Sequence, residues 1–348
     1  MDRPAAPLTS CVAQVARQDA RPSRLKRALA YCFALACLVW VFHDIQLRPL
    51  LANITVHYWR FVALAVTFDI VTYLLQGMRW SLLLASVGRL SSMRATRAIY
   101  AGLFVTELVP LRFGEVVRAF LVSRWLSLQF VSVLPSMIVE RFLDGLWLAA
   151  GIALAATFVP LPRQLIKAGD ALGGIVVLAT FLFLWVVLRK AKNLAPKKGR
   201  DASGFARFAS QCMRGLRDVG ASHRMYLAAL LSAGMLGCQI LALWFIMLAC
   251  QIGLPLWTSA VALLILRLGT TVPNAPANVG SFQFFSVLAL RLFGVEKTVA
   301  VGFSIVYFIS LTIPLWILGL LAIAGTGLSL ATMRWRLPPS RGFSTLLT

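Results

Sequence analysis

Charged residues, and acidic residues above all, are scarce in this sequence. Asp, Glu, Lys and Arg make up only 13% of the 348 residues, whereas soluble domains carry about a quarter. Apolar residues make up 59% of the chain, and the mean hydropathy is +0.82. This composition excludes an ordinary soluble domain and predicts that most of the chain lies in a lipid bilayer.

Histidine and cysteine are also sparse. The three His and six Cys residues are scattered, without the close pairing that zinc sites need, so we expect no metal and no other cofactor. The cysteines lie in predicted spans or in segments expected to face the cytoplasm, which argues against a disulfide framework. The sequence has no Gly-rich loop ending in Lys-Ser/Thr, so ATP is not the expected energy source.

The shortage of acids leaves a strongly basic chain, with 34 Lys and Arg against 12 Asp and Glu and a net charge of +22. In a soluble protein such a charge would indicate nucleic-acid binding. Here the basic residues cluster between apolar runs, where they are typical of topology signals and of contacts to anionic lipid. We therefore expect membrane lipids, and not nucleic acid, as partners.

Long apolar runs predict six membrane spans. A bilayer core about 30 Å thick requires ~20 helical residues. The runs of that length cover residues 25–43, 61–78, 136–159, 171–188, 225–250 and 299–323.

The distribution of basic residues predicts the orientation of these spans. Short cytoplasmic loops collect Lys and Arg. Residues 1–24, the loop at 189–224 and the tail at 331–348 are basic, and we place all three in the cytoplasm, around a transmembrane domain at 25–330 in a bacterial inner membrane.

Two further apolar stretches are too short or too broken to cross. The first, at 98–122, is interrupted at 110–114, and the second, at 259–292, is interrupted at 273–280. A twelve-residue arm reaches only ~18 Å. The breaks contain Pro110, Gly114, Pro273 and Pro276.

Each of these stretches is predicted to be a re-entrant helical hairpin, and the two are expected to enter from opposite sides. Inverted-repeat transporters place such broken helices around a midplane site. The predicted fold class is all-α: a polytopic transmembrane helix bundle with two re-entrant hairpins, in which an inverted repeat is possible.

Ionisable residues inside this bundle are the candidate binding site, because intramembrane charges are costly and usually functional. The main candidates surround the first break and the start of the third span: Arg79, Arg112, Glu115, Arg118, Glu140, Arg141 and Asp144. Glu140 and Asp144 share a helix face, and Arg118 and Arg141 are natural partners for them. The hypothesis is a cytoplasm-facing cavity whose arginines hold a lipid phosphate. Its acids would counter the arginines or bind a cationic headgroup.

The alternative is that these charges only fasten the hairpin to its neighbours, while Arg79 and Arg141 snorkel to the interface. The second break offers uncharged groups for binding, namely Asn274, Asn278, Gly280 and Gln283. These residues could instead only cap the two half-helices. Asp69, Glu107 and Arg267 are further intramembrane charges that need an explanation.

Several of these segments together resemble the lysylphosphatidylglycerol synthase transmembrane-region family, also called flippase-like. The segments that carry the resemblance are residues 73–80, 102–110, 113–119, 139–145, 273–283 and 293–295. Their order and spacing match the family from about residue 25 to residue 330. The matching positions are Arg79, Pro110, Gly114, Glu115, Arg118, Glu140, Arg141, Asp144, Pro273 and Gly280.

The resemblance implies a relative of the flippase half of an enzyme that makes and translocates an aminoacylated phospholipid. Similar stand-alone proteins lie near genes for hopanoid, glycolipid or polyprenyl-linked sugar pathways. The chain has Glu107 where relatives often have Asn, and Gln283 where many have an acid. These departures put the lysyl-lipid substrate in doubt.

The leading hypothesis is therefore a flippase or lipid-linked transporter for a phospholipid, glycolipid or isoprenoid-type lipid, and not an enzyme. The longest polar stretch, 189–224, is too short for an aminoacyltransferase domain, so no synthase activity is expected. One alternative is an intramembrane transferase. Another is a noncatalytic membrane partner that recruits a soluble pathway enzyme through the 189–224 loop.

Overall fold

The computed structural model describes residues 24–43, 58–108, 114–128, 130–158, 174–175, 178, 182, 223–270 and 276–325. Within these ranges the chain forms nine α-helices and no strand, which confirms the all-α prediction. The helices are α1 (Arg24–Phe42), α2 (Trp59–Leu84), α3 (Ser92–Leu108), α4 (Gly114–Trp125), α5 (Phe130–Phe158), α6 (Arg224–Ala249), α7 (Leu256–Thr270), α8 (Ser281–Arg291) and α9 (Lys297–Ala324). A short 3-10 turn, Pro276–Asn278, precedes α8.

Three of the described helices are long and apolar enough to cross a membrane: α2, α6 and α9. α1 contains a shorter apolar stretch, Cys32–Phe42, and α7 is itself apolar but short. α5 has the length of a span but carries Glu140, Arg141 and Asp144 in its first half. The fourth predicted span, most of the 189–224 loop and the end segments lie outside the described residues. The six-span count and the orientation therefore stay predictions.

The backbone geometry at the helix ends explains where several helices stop. α4, α6 and α8 each end with the same pair of hydrogen bonds. Two backbone amides that follow the helix donate to carbonyl oxygens of its last turn. This Schellman motif needs a left-handed residue, and Ser127, Gln251 and Gly294 supply it, with φ of 52°, 57° and 80°. Sharp stops of this kind give the short connections that hold neighbouring helices side by side.

Helix α3 is longer than the sequence indicated. It begins at Ser92, and the Ser91 hydroxyl accepts a hydrogen bond from the Arg94 amide at 3.4 Å, in the manner of an N-cap. Arg94 and Arg97 therefore lie on the helix, which begins six residues before the apolar stretch at 98–122. Its 17 residues reach about 25 Å, still short of the bilayer core.

α3 and α4 pack side by side around the first break. Gly102 and Gly114 allow this close packing. A Cβ on Gly102 would lie 2.6 Å from the Gly114 carbonyl oxygen, and a Cβ on Gly114 would clash with the Gly102 carbonyl oxygen. α7 and α8 form a second such pair around the second break, and α3 also packs against the 3-10 turn. The depth of either pair in the membrane, and a repeat relating them, stay predictions.

Two hydrophobic clusters hold these helices together. One, built mainly from α6 to α9, contains Ile246, Val287 and Leu290. The other lies among α2, α3, α4 and the start of α5, around Trp80 and Leu121. The second cluster packs directly against the candidate site, because Trp80 is adjacent to Arg79 in α2.

The glycine contact between α3 and α4 gives a first prediction. Gly102→Ala should lower the midpoint of thermal unfolding in detergent, because overpacking a close contact costs about 1–3 kcal/mol. Gly237→Ala is the matched control, since nothing lies within 4 Å of a Cβ at that helical position. Equal midpoints for the two variants would contradict the close contact.

Candidate functional site

Arg79 is the centre of the candidate site. It lies in the last third of α2 and its side chain is 0% exposed, so it does not snorkel to the interface. Nη1 donates to Asp144 Oδ1 at 2.6 Å and to Ser232 Oγ at 2.9 Å, and Nη2 donates to Glu140 Oε1 at 3.0 Å. A buried guanidinium is tolerated in an apolar bundle only when it is paired in this way.

Glu140 joins Arg79 to a second arginine. Its side chain is also 0% exposed, and Oε1 accepts hydrogen bonds from Arg118 Nη1 at 3.2 Å and from Gln76 Nε2 at 2.9 Å. Arg118 Nη2 lies 2.9 Å from Glu140 Oε2, but the two atoms are misaligned and do not form a hydrogen bond. One carboxylate from α5 therefore links α2 to α4.

Trp80 supports Arg118 from the side. The Arg118 guanidinium carbon lies 4.9 Å from the centroid of the Trp80 ring, within the range of a cation–π interaction. The indole nitrogen donates to Ser136 Oγ at 3.1 Å, which fixes the ring against α5. Of these two consecutive residues, Arg79 forms ion pairs and Trp80 packs against the guanidinium of Arg118.

Arg141 forms the outer part of the site. Its Nη2 lies 2.6 Å from Glu115 Oε1 and its Nη1 lies 3.4 Å from Asp144 Oδ2. The Arg141 side chain is 48% exposed, in contrast to the closed pairs around Glu140. Three arginines and three acids therefore form one charge-balanced cluster with a buried inner layer and an accessible edge.

A small cavity lies beside the inner layer. Its volume is about 20 Å³, and its polar lining residues are Asp144, Ser232 and Arg267. Arg267 of α7 donates to Gln239 of α6. A cavity of this size holds a single water molecule, so a lipid headgroup does not fit within it unless the helices move apart.

Residues of the second break lie apart from this cluster. The Gln283 side chain accepts a hydrogen bond from the Gly280 amide at 2.8 Å, and Ser281 Oγ donates to the Asn278 carbonyl at 3.0 Å. These bonds cap the start of α8. Gly280 has φ of 90° and packs against the Ala34 carbonyl of α1. Among the described residues, no hydrogen bond or ion pair joins this turn to the arginines.

The structure thus brings together six of the predicted site residues: Arg79, Glu115, Arg118, Glu140, Arg141 and Asp144. Pro110, Arg112, Pro273 and Asn274 lie outside the described residues, as does the side chain of Pro276. Sequence reasoning missed Gln76 and Ser232. Gln76 could have been found, because it precedes Arg79 by three residues and so lies on the same helix face. Ser232 could not, because nothing in the sequence shows that α6 packs against α2. Within the described residues, no three His, Cys, Asp or Glu side chains meet as a metal site would require.

The buried ion pairs lead to a stability prediction. Glu140→Gln should destabilise the protein by about 3–5 kcal/mol, because it leaves buried arginine charge uncompensated. Glu115→Gln, at the accessible edge, should change stability by less than about 1 kcal/mol. Thermal unfolding of the purified protein in detergent measures both.

A double variant tests whether uncompensated charge causes the destabilisation expected for Glu140→Gln. Arg118→Gln combined with Glu140→Gln removes both charges and leaves Arg79 paired with Asp144, so it should recover part of the loss caused by Glu140→Gln alone. No recovery, or equal effects of Glu140→Gln and Glu115→Gln, would contradict the assignment of Glu140 as the shared partner.

Comparison with known proteins identifies a family for this chain. A family model described as "Lysylphosphatidylglycerol synthase TM region" matches residues 27–319, which include all six residues of the cluster. No curated protein and no solved structure gives a significant match. The match confirms the resemblance seen in the sequence and shows a membrane protein related to lipid synthesis or flipping. The chain belongs to the lysylphosphatidylglycerol synthase transmembrane-region family.

Proposed function

We propose that this protein moves a phosphate-bearing lipid between the leaflets of the membrane, and that the lipid headgroup is handled at the accessible edge formed by Arg141, Glu115 and Asp144. The observation that carries this proposal is the division of one charge cluster into a closed inner layer and an open edge. The family supports a role in lipid chemistry or lipid movement.

The energetics of the two layers favour this division of roles. An exposed ion pair contributes about 0–1 kcal/mol, whereas breaking a buried pair by removing one partner costs about 3–5 kcal/mol. The pair between Arg141 and Glu115 is therefore easily exchanged for another partner. The pairs of Glu140 with Arg79 and Arg118 instead brace the helices and keep their geometry during exchange.

A phosphate group is the natural exchange partner for Arg141. Guanidinium binds phosphate through two parallel hydrogen bonds, as it binds carboxylate. When a phosphate takes the place of Glu115, the cluster gains a negative charge and releases a carboxylate. The released Glu115 carboxylate can then pair with a cation of the same headgroup. The edge therefore suits a headgroup that carries a phosphate and a positive charge.

The lipid tails have a path along the outside of the bundle. Leu146 and Leu154 of α5 and Val116 and Phe120 of α4 are exposed apolar side chains on the two helices that carry the edge. The headgroup would pass the polar edge while the tails remain in contact with the bilayer. This arrangement needs no aqueous channel for the whole lipid.

Flipping in reconstituted vesicles tests the proposal. Fluorescent phosphatidylglycerol in the inner leaflet should become accessible to a membrane-impermeant quencher in the presence of the protein. Arg141→Gln should slow this at least roughly tenfold, since a charge-assisted hydrogen bond is worth about 1.5–3 kcal/mol. Arg141→Lys keeps the charge but loses the bidentate geometry. Its flipping rate should lie between those of the wild type and Arg141→Gln.

The matched control is Arg94→Gln, which removes an exposed arginine of α3 outside the cluster. It should flip lipid at the wild-type rate, and thermal unfolding should show that all three variants are folded. Wild-type rates in Arg141→Gln would exclude the proposed edge. Absence of protein-dependent flipping of phosphatidylglycerol and of other phosphate-bearing lipids would contradict the function itself.

A further inference from the structure

Helix α2 carries one acidic residue, Asp69, and it belongs to no ion pair described above. It precedes Arg79 by ten positions, which places it about 15 Å away along the helix axis. Asp69 is only 7% exposed, and within the described parts of the chain no cation pairs with its carboxyl group. A lone carboxylate in an apolar bundle is strongly disfavoured, because burial removes the charged group from water and no cation offsets that loss.

Three tyrosines from three helices belong to the electrostatic environment of Asp69. Tyr73 of α2, Tyr100 of α3 and Tyr307 of α9 all interact electrostatically with it. The rings of Tyr73 and Tyr100 lie 5.1 Å apart between centroids. Tyrosine hydroxyls can donate to a carboxylate and accept from a protonated carboxyl, so they suit both states of the acid.

The hydroxyl of Tyr100 is an independent sign of an incomplete site. Tyr100 is 6% exposed, and its hydroxyl oxygen is buried without a hydrogen-bond partner among the described residues. Buried hydroxyls are almost always bonded, and an exception needs an explanation. This hydroxyl can therefore act as a donor or an acceptor, and its ring packs against Tyr73, one helical turn after Asp69.

Two further charged groups among the described residues act on these tyrosines. Glu107 of α3 and Arg267 of α7 both act on Tyr73, and Arg267 also acts on Tyr307. Glu107 Oε2 is buried and has no hydrogen-bond partner in the described part of the chain. From α6, the titratable groups are Arg224 and Tyr226 in its first turn and Cys238 near its middle.

A polar stripe along α2 connects this group to the arginine cluster. Asp69, Tyr73, Gln76 and Trp80 recur at spacings of four, three and four, which places them on one helix face. Gln76 donates directly to Glu140, and Arg267, which acts on Tyr73, also lines the cavity beside Asp144. Arg267 thus interacts electrostatically with two tyrosines of this group and also lines the cavity beside Asp144, which relates Asp69 to the ion pairs.

We propose that Asp69, with the hydroxyls of Tyr73, Tyr100 and Tyr307, is a proton-binding site that couples a transmembrane pH gradient to movement at the arginine cluster. The coupling rests on the proposed lipid transport, whereas the proton site itself does not. When Asp69 carries its proton, the tyrosine group is neutral. When the proton leaves, a negative charge appears in reach of the same tyrosines that Arg267 acts on, and the ion pairs beside Asp144 adjust.

Infrared difference spectroscopy of the purified protein in lipid nanodiscs tests the proton site without any lipid substrate. The carbonyl stretch of a buried protonated carboxylic acid should be present near neutral pH and should disappear in Asp69→Asn. Tyr100→Phe should shift the frequency of that band or the pH at which it titrates. Glu296→Gln, at an exposed acid that precedes α9, should leave the band unchanged.

Two outcomes would overturn the proton site. One is the absence of the band throughout the pH range in which the protein is folded. The other is its retention in Asp69→Asn together with its loss in Glu107→Gln, which would assign the proton to Glu107. Asn is neutral and of nearly the same size as Asp, so Asp69→Asn should keep the fold, and thermal unfolding checks this.

The coupling is tested by the flipping assay with an imposed pH gradient. Wild-type vesicles should flip fluorescent phosphatidylglycerol at a rate that changes severalfold with the direction of the gradient, and Asp69→Asn should flip it at one rate in both directions. A wild-type rate that ignores the gradient would exclude coupling. Absence of flipping in the wild type would count against lipid transport, and the infrared result would still decide the proton site.

Discussion

The carboxylate of Glu140 is the interaction on which the rest of the site depends. It accepts from Arg79 of α2, from Arg118 of α4 and from Gln76, and it belongs to α5, so it joins three helices at one point. Each arginine would be prohibitively costly to bury alone. The helices that meet at Glu140 can be inserted and packed only as a set, and this fixes the first helical pair against the bundle.

The depth of burial then determines what each part of the cluster can do. Arg79 is enclosed by Glu140, Asp144 and Ser232, so it has little freedom to take another ligand. Arg141 is on the same helix as both acids but faces outward. The same residue type is therefore enclosed at one position and exposed at another. The Arg79 side chain is 0% exposed, whereas that of Arg141 is 48% exposed.

Much of this arrangement was predictable from local spacing. The four-residue interval between Glu140 and Asp144 placed both acids on one face of α5, and the position of Arg118 just after the first break made it a natural partner. The extents of α6 and α9 followed from their apolar runs to within two residues at each end. These features depend on helical periodicity, which a single sequence contains.

Other features depend on contacts between distant segments. Ser232 reaches Arg79 because α6 packs along α2, and the sequence has no signal for that register. The start of α3 was placed too late because the apolar stretch begins at residue 98, whereas Ser91 caps the helix and Arg94 and Arg97 lie on it. Gln283, predicted as a binding residue, accepts from the backbone of Gly280. Gln283 thus takes part in capping α8, a role that side-chain chemistry alone did not distinguish from binding, and the binding role of the second-break residues stays a prediction.

The misalignment between Arg118 and Glu140 has a mechanical consequence. Arg118 Nη2 and Glu140 Oε2 are close but not bonded, so the fork between these side chains is only half closed. A small rotation of α4 that aligns the second pair of atoms would gain a hydrogen bond and would expose no bare charge. The flat Trp80 ring lies against the same guanidinium and limits its displacement on that side. The contact between α4 and α5 therefore keeps opposite charges adjacent at both ends of the fork even though only one end is hydrogen-bonded.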